Sequence, residues 1–273
     1  MSDRMYLADY HTHSSCSPDA GSTMTEMAEA GIAAGLHELC FTDHVETLLW
    51  GTNRLRESYD WTEMLRQFGD AQAVCGDRIR LKLGVELGEA PHDFAVADGL
   101  LAAAPPLDFI IGSVHTLSAA YGWENLFFSA ERDETRCRER IADYLGEVYK
   151  LAQWGKFDVL GHLTLPLRYF NENLGLSLTF DGFEPQVTEI FHALIDNGCG
   201  IEVNTNRGNT PLPDEKWLRL YRALGGEIVT LGSDAHTPGF VGCALASGQR
   251  LLKDCGFTRF ATFSKGQPLF HPL

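Results

Sequence analysis

The chain has 273 residues and 44% hydrophobic content, enough to bury the core of one (β/α) barrel or two small domains. Its 22 Lys and Arg face 37 Asp and Glu, a formal net charge of −15. That balance argues against a nucleic-acid or anionic-membrane surface, since both need a basic footprint.

No run of about 18 apolar residues occurs, so no membrane-spanning helix is expected. The first nine residues carry Asp3 and Asp9 and lack an apolar signal core, and the seven cysteines are scattered, odd in number and without a Cys-x-x-Cys pair. Both features point to a cytoplasmic protein with reduced thiols.

Taken in order, the chain opens with a short apolar run, Tyr6-Leu7-Ala8-Asp9-Tyr10, that ends at His11-Thr12-His13. Residues two apart on a strand share a face, so these two imidazoles can grip one divalent metal. A polar loop follows from Ser14 to Gly21. Thr23-Met24-Thr25-Glu26 has the form of a capping box and opens a helix to about Ala34, stopped by Gly35.

The second strand is Glu38-Leu39-Cys40-Phe41-Thr42, ending at Asp43-His44. Residues 45–60 read as an irregular loop and Trp61 to Val74 as a helix. Ile79 to Val85 is a strand ending at Glu86. Phe109 to Val114 is the next, ending at His115, followed by a long connection over 116–132. Glu134 to Trp154 is the longest helix. Asp158-Val159-Leu160-Gly161 ends at His162, and a loop with Arg168, Tyr169 and Phe170 leads to a helix over Glu184–Asn197. Gly200 to Asn204 is the sixth strand, Asp214 to Leu224 a helix, and Glu227 to Leu231 the seventh strand. That strand ends at Gly232-Ser233-Asp234-Ala235-His236, and a closing helix spans Val241–Asp254.

Seven βα units predict a parallel barrel, whose chemistry collects at the carboxyl ends of the strands. The candidate ligands fall there: His11, His13, Asp19, His44, Glu86, His115, His162, Asp234 and His236. Six imidazoles and three carboxylates are too many for one tetrahedral ion. They suit two or three adjacent metals bridged by Glu86, and the nitrogen and oxygen donors suit zinc, iron or manganese. His37, His192 and His271 read as structural or solvated, with His92 left open. Cys16 and Cys40 lack a partner for nucleophilic work. Trp123, Phe127 and Phe128 read as a lid or packing cluster. Glu46, Glu89, Asp93 and Glu202 could meet a substrate ammonium but read first as surface groups or as groups behind the ligands.

These motifs resemble the polymerase and histidinol phosphatase (PHP) family. The pieces are His-x-His with Asp19, Thr42-Asp43-His44, Gly84-Val85-Glu86-Leu87-Gly88, Gly112-Ser113-Val114-His115, Gly161-His162 and Gly232-Ser233-Asp234-Ala235-His236. They span about residues 6–265. Arg168-Tyr169 and Glu202-Val203-Asn204-Thr205 resemble its monofunctional histidinol-phosphatase branch. The resemblance implies a single domain over 1–273, a distorted, TIM-like (β/α)7 barrel, with its metal site at the carboxyl ends of the strands. It implies that His11, His13, Glu86 and Asp234 hold a first metal, Glu86, His115 and His162 a second, and Asp19, His44 and His236 a third.

The reaction so implied is hydrolysis of L-histidinol phosphate to L-histidinol and phosphate in histidine biosynthesis. A hydroxide shared by two metals would be the nucleophile, and Arg168 would clamp phosphate, with Arg207 as a second clamp. No nucleic-acid or membrane partner is implied, and a homodimer is left open. Two alternatives stand beside this reading: a PHP phosphoesterase for another small monoester, and a metal- and phosphate-binding regulatory module without turnover.

Overall fold

The computed structural model describes residues 5–49, 51–52 and 54–273. Among these residues ten strands form one sheet and one hairpin: β1 (Ala8–Thr12), β2 (Glu38–Phe41), β3 (His44–Glu46), β4 (Arg80–Gly88), β5 (Phe109–Ser113), β6 (Val159–Leu160), β7 (Gly200–Asn204), β8 (Val229–Gly232), β9 (Arg259–Ser264) and β10 (Gln267–Pro272). Among the described residues seven α-helices accompany them: α1 (Met24–Ala33), α2 (Thr62–Cys75), α3 (Phe94–Ala102), α4 (Glu134–Trp154), α5 (Glu184–Asp196), α6 (Glu215–Ala223) and α7 (Leu245–Asp254).

The sheet runs β1-β2-β4-β5-β6-β7-β8, with β3 pairing the distal half of β4, and every one of these pairings is parallel. It curls until its first and last strands meet. Thr12 bridges Ala235 in parallel, His13 N–H donates to the Ala235 carbonyl at 2.9 Å, and Asp234 N–H to the His11 carbonyl at 2.8 Å. The result is the distorted (β/α)7 barrel that the family resemblance implies.

One buried carboxylate ties this seam. Asp9 accepts from Ser233 N–H at 2.9 Å, from the Ser233 hydroxyl at 2.6 Å and from Gly242 N–H at 2.8 Å. Burial raises its pKa to about 6, against the pull of the Ser233, Gly242 and His11 hydrogen bonds.

The helices follow from local chemistry. Thr23 closes a capping box with Glu26 on α1, and Asp133 caps α4, which ends at Gly155 in the left-handed region that glycine enters without strain. Five elements depart from the sequence reading. The stretch Arg168–Asn173 is a π-helical turn rather than loop, and the closing helix begins at Leu245 rather than Val241. Strand β3 takes in His44, expected at the end of the second strand, and residues 45 and 46, expected in a loop. Residues 94–102 form α3, capped by Asp93. Residues 259–272 form the β9–β10 hairpin, which turns through Lys265 (φ 53°) and Gly266 (φ 70°). This hairpin meets β1: the Tyr10 hydroxyl accepts from Phe263 N–H at 2.8 Å and bonds the Glu38 carboxylate.

All seven cysteines are free thiols. No helix among the described residues is long and apolar enough to cross a membrane.

Candidate metal centre

All nine candidate ligands meet at the carboxyl end of the barrel. His11 and Glu86 lie within their strands, and His13, His115, His162 and Asp234 follow the ends of β1, β5, β6 and β8. The β3–β4 register sets His44 directly beside Glu86. Asp43 fastens the loop that carries Asp19: it accepts from Ser14 N–H at 2.6 Å, the Ser14 hydroxyl at 2.8 Å and the Ser17 hydroxyl at 2.7 Å.

The three donor sets that the family resemblance implies lie close together, sharing Glu86 or abutting one another. In the first, His11 Nε2 lies 3.3 Å from Glu86 Oε2 and 3.6 Å from Asp234 Oδ1, while His13 Nε2 lies 3.5 and 3.4 Å from the same two atoms. In the second, Glu86 Oε1 lies 3.2 Å from His115 Nε2 and 2.8 Å from His162 Nε2. In the third, Asp19 Oδ2 lies 3.7 Å from His44 Nε2 and 3.0 Å from His236 Nε2.

These separations test whether a metal fits. Bonds of about 2.0–2.1 Å in a tetrahedral site put neighbouring donors about 3.3–3.4 Å apart. The first group matches that edge length. Its two histidine Nε2 atoms are fully buried and make no hydrogen bond, a costly state unless something else is held there. Nitrogen and oxygen donors without thiolate suit divalent zinc, iron or manganese.

The electrostatics point the same way. Burial opposes charge on His11, yet Glu202, Glu86 and Asp234 overcome it and hold its pKa well above the usual histidine value. His115 is raised likewise by Glu86 and Glu46, and His44 reaches about 10 beside Glu86, Asp19 and Glu46. Burial would raise Glu86, but His11, His44 and His115 hold it well below the carboxylate range. His13 is driven down by burial and by His236 and His44. The surrounding carboxylates thus favour positive charge at His11, His44 and His115.

Behind the ligands stand carboxylates that fix the rings. Glu202 Oε1 lies 2.7 Å from His11 Nδ1, and Glu202 Oε2 accepts from His162 N–H at 2.9 Å. Glu46 Oε1 lies 3.0 Å from His44 Nδ1 and 3.5 Å from His115 Nδ1. Glu89 accepts from His115 N–H at 2.7 Å. Glu46, Glu89 and Glu202 are therefore buried rather than surface groups, and Asp93 is a helix cap. His92 joins Glu89 and Thr116, its Nε2 2.6 Å from the Thr116 hydroxyl. His37 takes the Leu7 N–H, His271 stacks on Tyr6, and His192 is exposed. Two candidate ligands lie in the left-handed region, Asp234 (φ 56°) and His162 (φ 23°), a conformation kept where the surroundings enforce it.

A cavity of about 630 Å³ opens over the centre, and Asp19, His44, Glu86, His115, His162, Asp234 and His236 line it. Arg168 and Arg207 line it as well. Arg168 is buried and donates from Nε to Asn206 at 2.8 Å and from its terminal nitrogens to Asp234 at 2.7 Å and Asn204 at 3.0 Å. Arg207 is exposed and stacks over Phe240. Phe127 and Phe128, 61% and 68% exposed, form the rim.

A parallel barrel with a buried polyhistidine and carboxylate centre at its carboxyl end defines a metal-dependent hydrolase. The chain belongs to the PHP family, whose domain model matches residues 9–206. It is 31% identical to the probable histidinol-phosphatase of Deinococcus radiodurans over 92% of this chain and 94% of that one. It is 28% identical to the histidinol-phosphatase of Lactococcus lactis over 95% of each. Its fold superposes with a TM-score of 0.81, at 26% identity, on the L. lactis histidinol phosphate phosphatase crystallised with zinc, L-histidinol and phosphate, covering 97% of this chain and 100% of that one.

Proposed function

We propose that this chain is a metal-dependent phosphomonoester hydrolase that converts L-histidinol phosphate and water to L-histidinol and phosphate, acting as a single barrel domain over residues 1–273. The observation that carries the reading is the junction of three donor groups at Glu86, under a cavity that also presents Arg168. The L. lactis relative, crystallised with zinc and both reaction products, supports the same substrate here.

His11, His13, Glu86 and Asp234 would hold one divalent cation, Glu86, His115 and His162 a second, and Asp19, His44 and His236 a third. Bound there, such cations supply Lewis acidity and hydroxide at neutral pH. The chain's own residues do the rest. Glu202, Glu46 and Glu89 orient the rings of His11, His44 and His115. Arg168, with three of its five N–H groups anchored on Asn206, Asp234 and Asn204, keeps two for phosphate oxygens. Its charge meets the negative charge that builds on those oxygens during displacement. Arg207 at the mouth is the second phosphate clamp. Phe127 and Phe128 narrow the way in for water.

A substrate panel tests the proposal. Phosphate release should be faster from L-histidinol phosphate than from p-nitrophenyl phosphate or sugar phosphates. A flat profile, or a preference for a sugar phosphate, would point to another phosphoesterase of the family. Metal and phosphate binding with no release would point to a regulatory module.

A further inference from the structure

Glu172 is a cavity-lining carboxylate that the phosphate chemistry leaves unused. The cavity holds three others, Asp19, Glu86 and Asp234, and all of those belong to the donor groups. Glu172 sits in the π-helical turn Arg168–Asn173, which brings Arg168, Tyr169, Glu172 and Asn173 together onto the cavity wall. The wide turn explains this sharing, since residues four and five apart fall on one side of it.

Glu172 is exposed yet held in place. One carboxylate oxygen accepts from Asn206 Nδ2 at 2.5 Å and the other from Asn209 Nδ2 at 3.0 Å. Both donors are neutral amides, so they orient the charge without cancelling it. A carboxylate offers about four acceptor directions, and the two amides leave room for a cation. The Asn206 side chain also accepts from Arg168 Nε at 2.8 Å. A single amide thus separates a guanidinium from a carboxylate on the wall of one cavity. A molecule carrying both a phosphate ester and an ammonium meets a complementary charge at each end of that wall.

We propose that Glu172 receives the substrate's ammonium and so selects β-amino alkyl phosphates over amine-free phosphate esters. The assignment rests on the phosphatase reading above. Asn206 and Asn209 hold Glu172, and Arg168 takes the phosphate at the other end.

The test compares kcat/KM for L-histidinol phosphate and for its amine-free analogue, 3-(imidazol-4-yl)propyl phosphate, in metal-loaded wild type, Glu172→Gln and Glu172→Asp. The preference for the amino ester should fall about tenfold or more in Glu172→Gln, mainly through KM, as expected for a lost charged contact. Glu172→Asp should recover part of it. L-Histidinol alone, titrated calorimetrically, should bind Glu172→Gln about tenfold more weakly. A substrate ratio within about twofold of wild type in Glu172→Gln overturns the assignment while leaving the phosphatase intact. A wild type that cleaves p-nitrophenyl phosphate but neither imidazole ester overturns the substrate reading, and the assignment with it.

Discussion

Glu202 Oε1 stands 2.7 Å from Nδ1 of His11, while Nε2 of the same ring faces Glu86 and Asp234. The ring is therefore clamped from behind, with its tautomer set so that Nε2 can bind a cation. Replacing Glu202 by Gln removes the anionic partner and keeps the shape. Metal affinity should drop about 10–100-fold, read by chelator competition, with the circular dichroism spectrum retained. Unaltered affinity would mean that Glu202 only fills space.

Gly232 makes that contact possible. A Cβ there would lie 2.3 Å from Glu202 Oε1 and 2.4 Å from His11 Cβ. Gly232→Ala should therefore displace the Glu202–His11 pair, destabilising the fold by about 1–3 kcal/mol and weakening metal binding as well. Thermal denaturation of the metal-free protein measures the first effect separately from the second.

Arg168 is buried among Asn204, Asn206 and Asp234, so its loss should be costly. Arg168→Ala should raise KM for phosphomonoesters about tenfold or more, and Arg168→Lys should not restore it, because an ammonium cannot reproduce the planar fork. Unchanged KM in both variants would remove Arg168 from phosphate binding.

Proton release follows from the charges around the centre. Carboxylates raise His11 and His115 well above the usual value and His44 to about 10, so at pH 7 the metal-free rings carry protons that ligation must expel. Calorimetry of metal uptake in buffers of different ionisation enthalpy should show net proton release, declining as pH rises toward 10. The same sign governs stability. Groups with raised folded pKa stabilise below about 6.5, the unfolded histidine value. The metal-free protein should therefore lose stability between about pH 6.5 and 10, and no such loss would contradict protonated rings.

Much of the site was legible because the barrel imposes one rule, met at six of the seven strands: a ligand-type residue at the strand's carboxyl end. That rule brings His11, Glu86, His162 and Asp234 together across 223 positions of chain, from residue 11 to residue 234. The carboxylates behind the ligands were harder to read. Glu202 lies in Gly200-Ile201-Glu202-Val203-Asn204, where the alternation turns Glu202 and Asn204 inward; that pattern was the available signal. Helix α3 escaped because Phe-Ala-Val-Ala-Asp-Gly-Leu-Leu-Ala is apolar around most of its circumference and shows no clear stripe, leaving only its cap, Asp93, as a sign. The β9–β10 hairpin turns at Lys265-Gly266 instead of the commoner Asn-Gly, and Pro268 and Pro272 disguise its edge strand. Glu172 was invisible in sequence because only the π-helical turn carries it round to the cavity.

The most direct measurement is a metal titration of protein stripped of metal, followed by phosphate release from L-histidinol phosphate. Activity should be absent at the start and rise only as more than one equivalent of Zn2+ or Mn2+ is bound, while Glu86→Gln stays inactive throughout. Full turnover by the verified metal-free protein, or by Glu86→Gln at wild-type rate, would contradict the account.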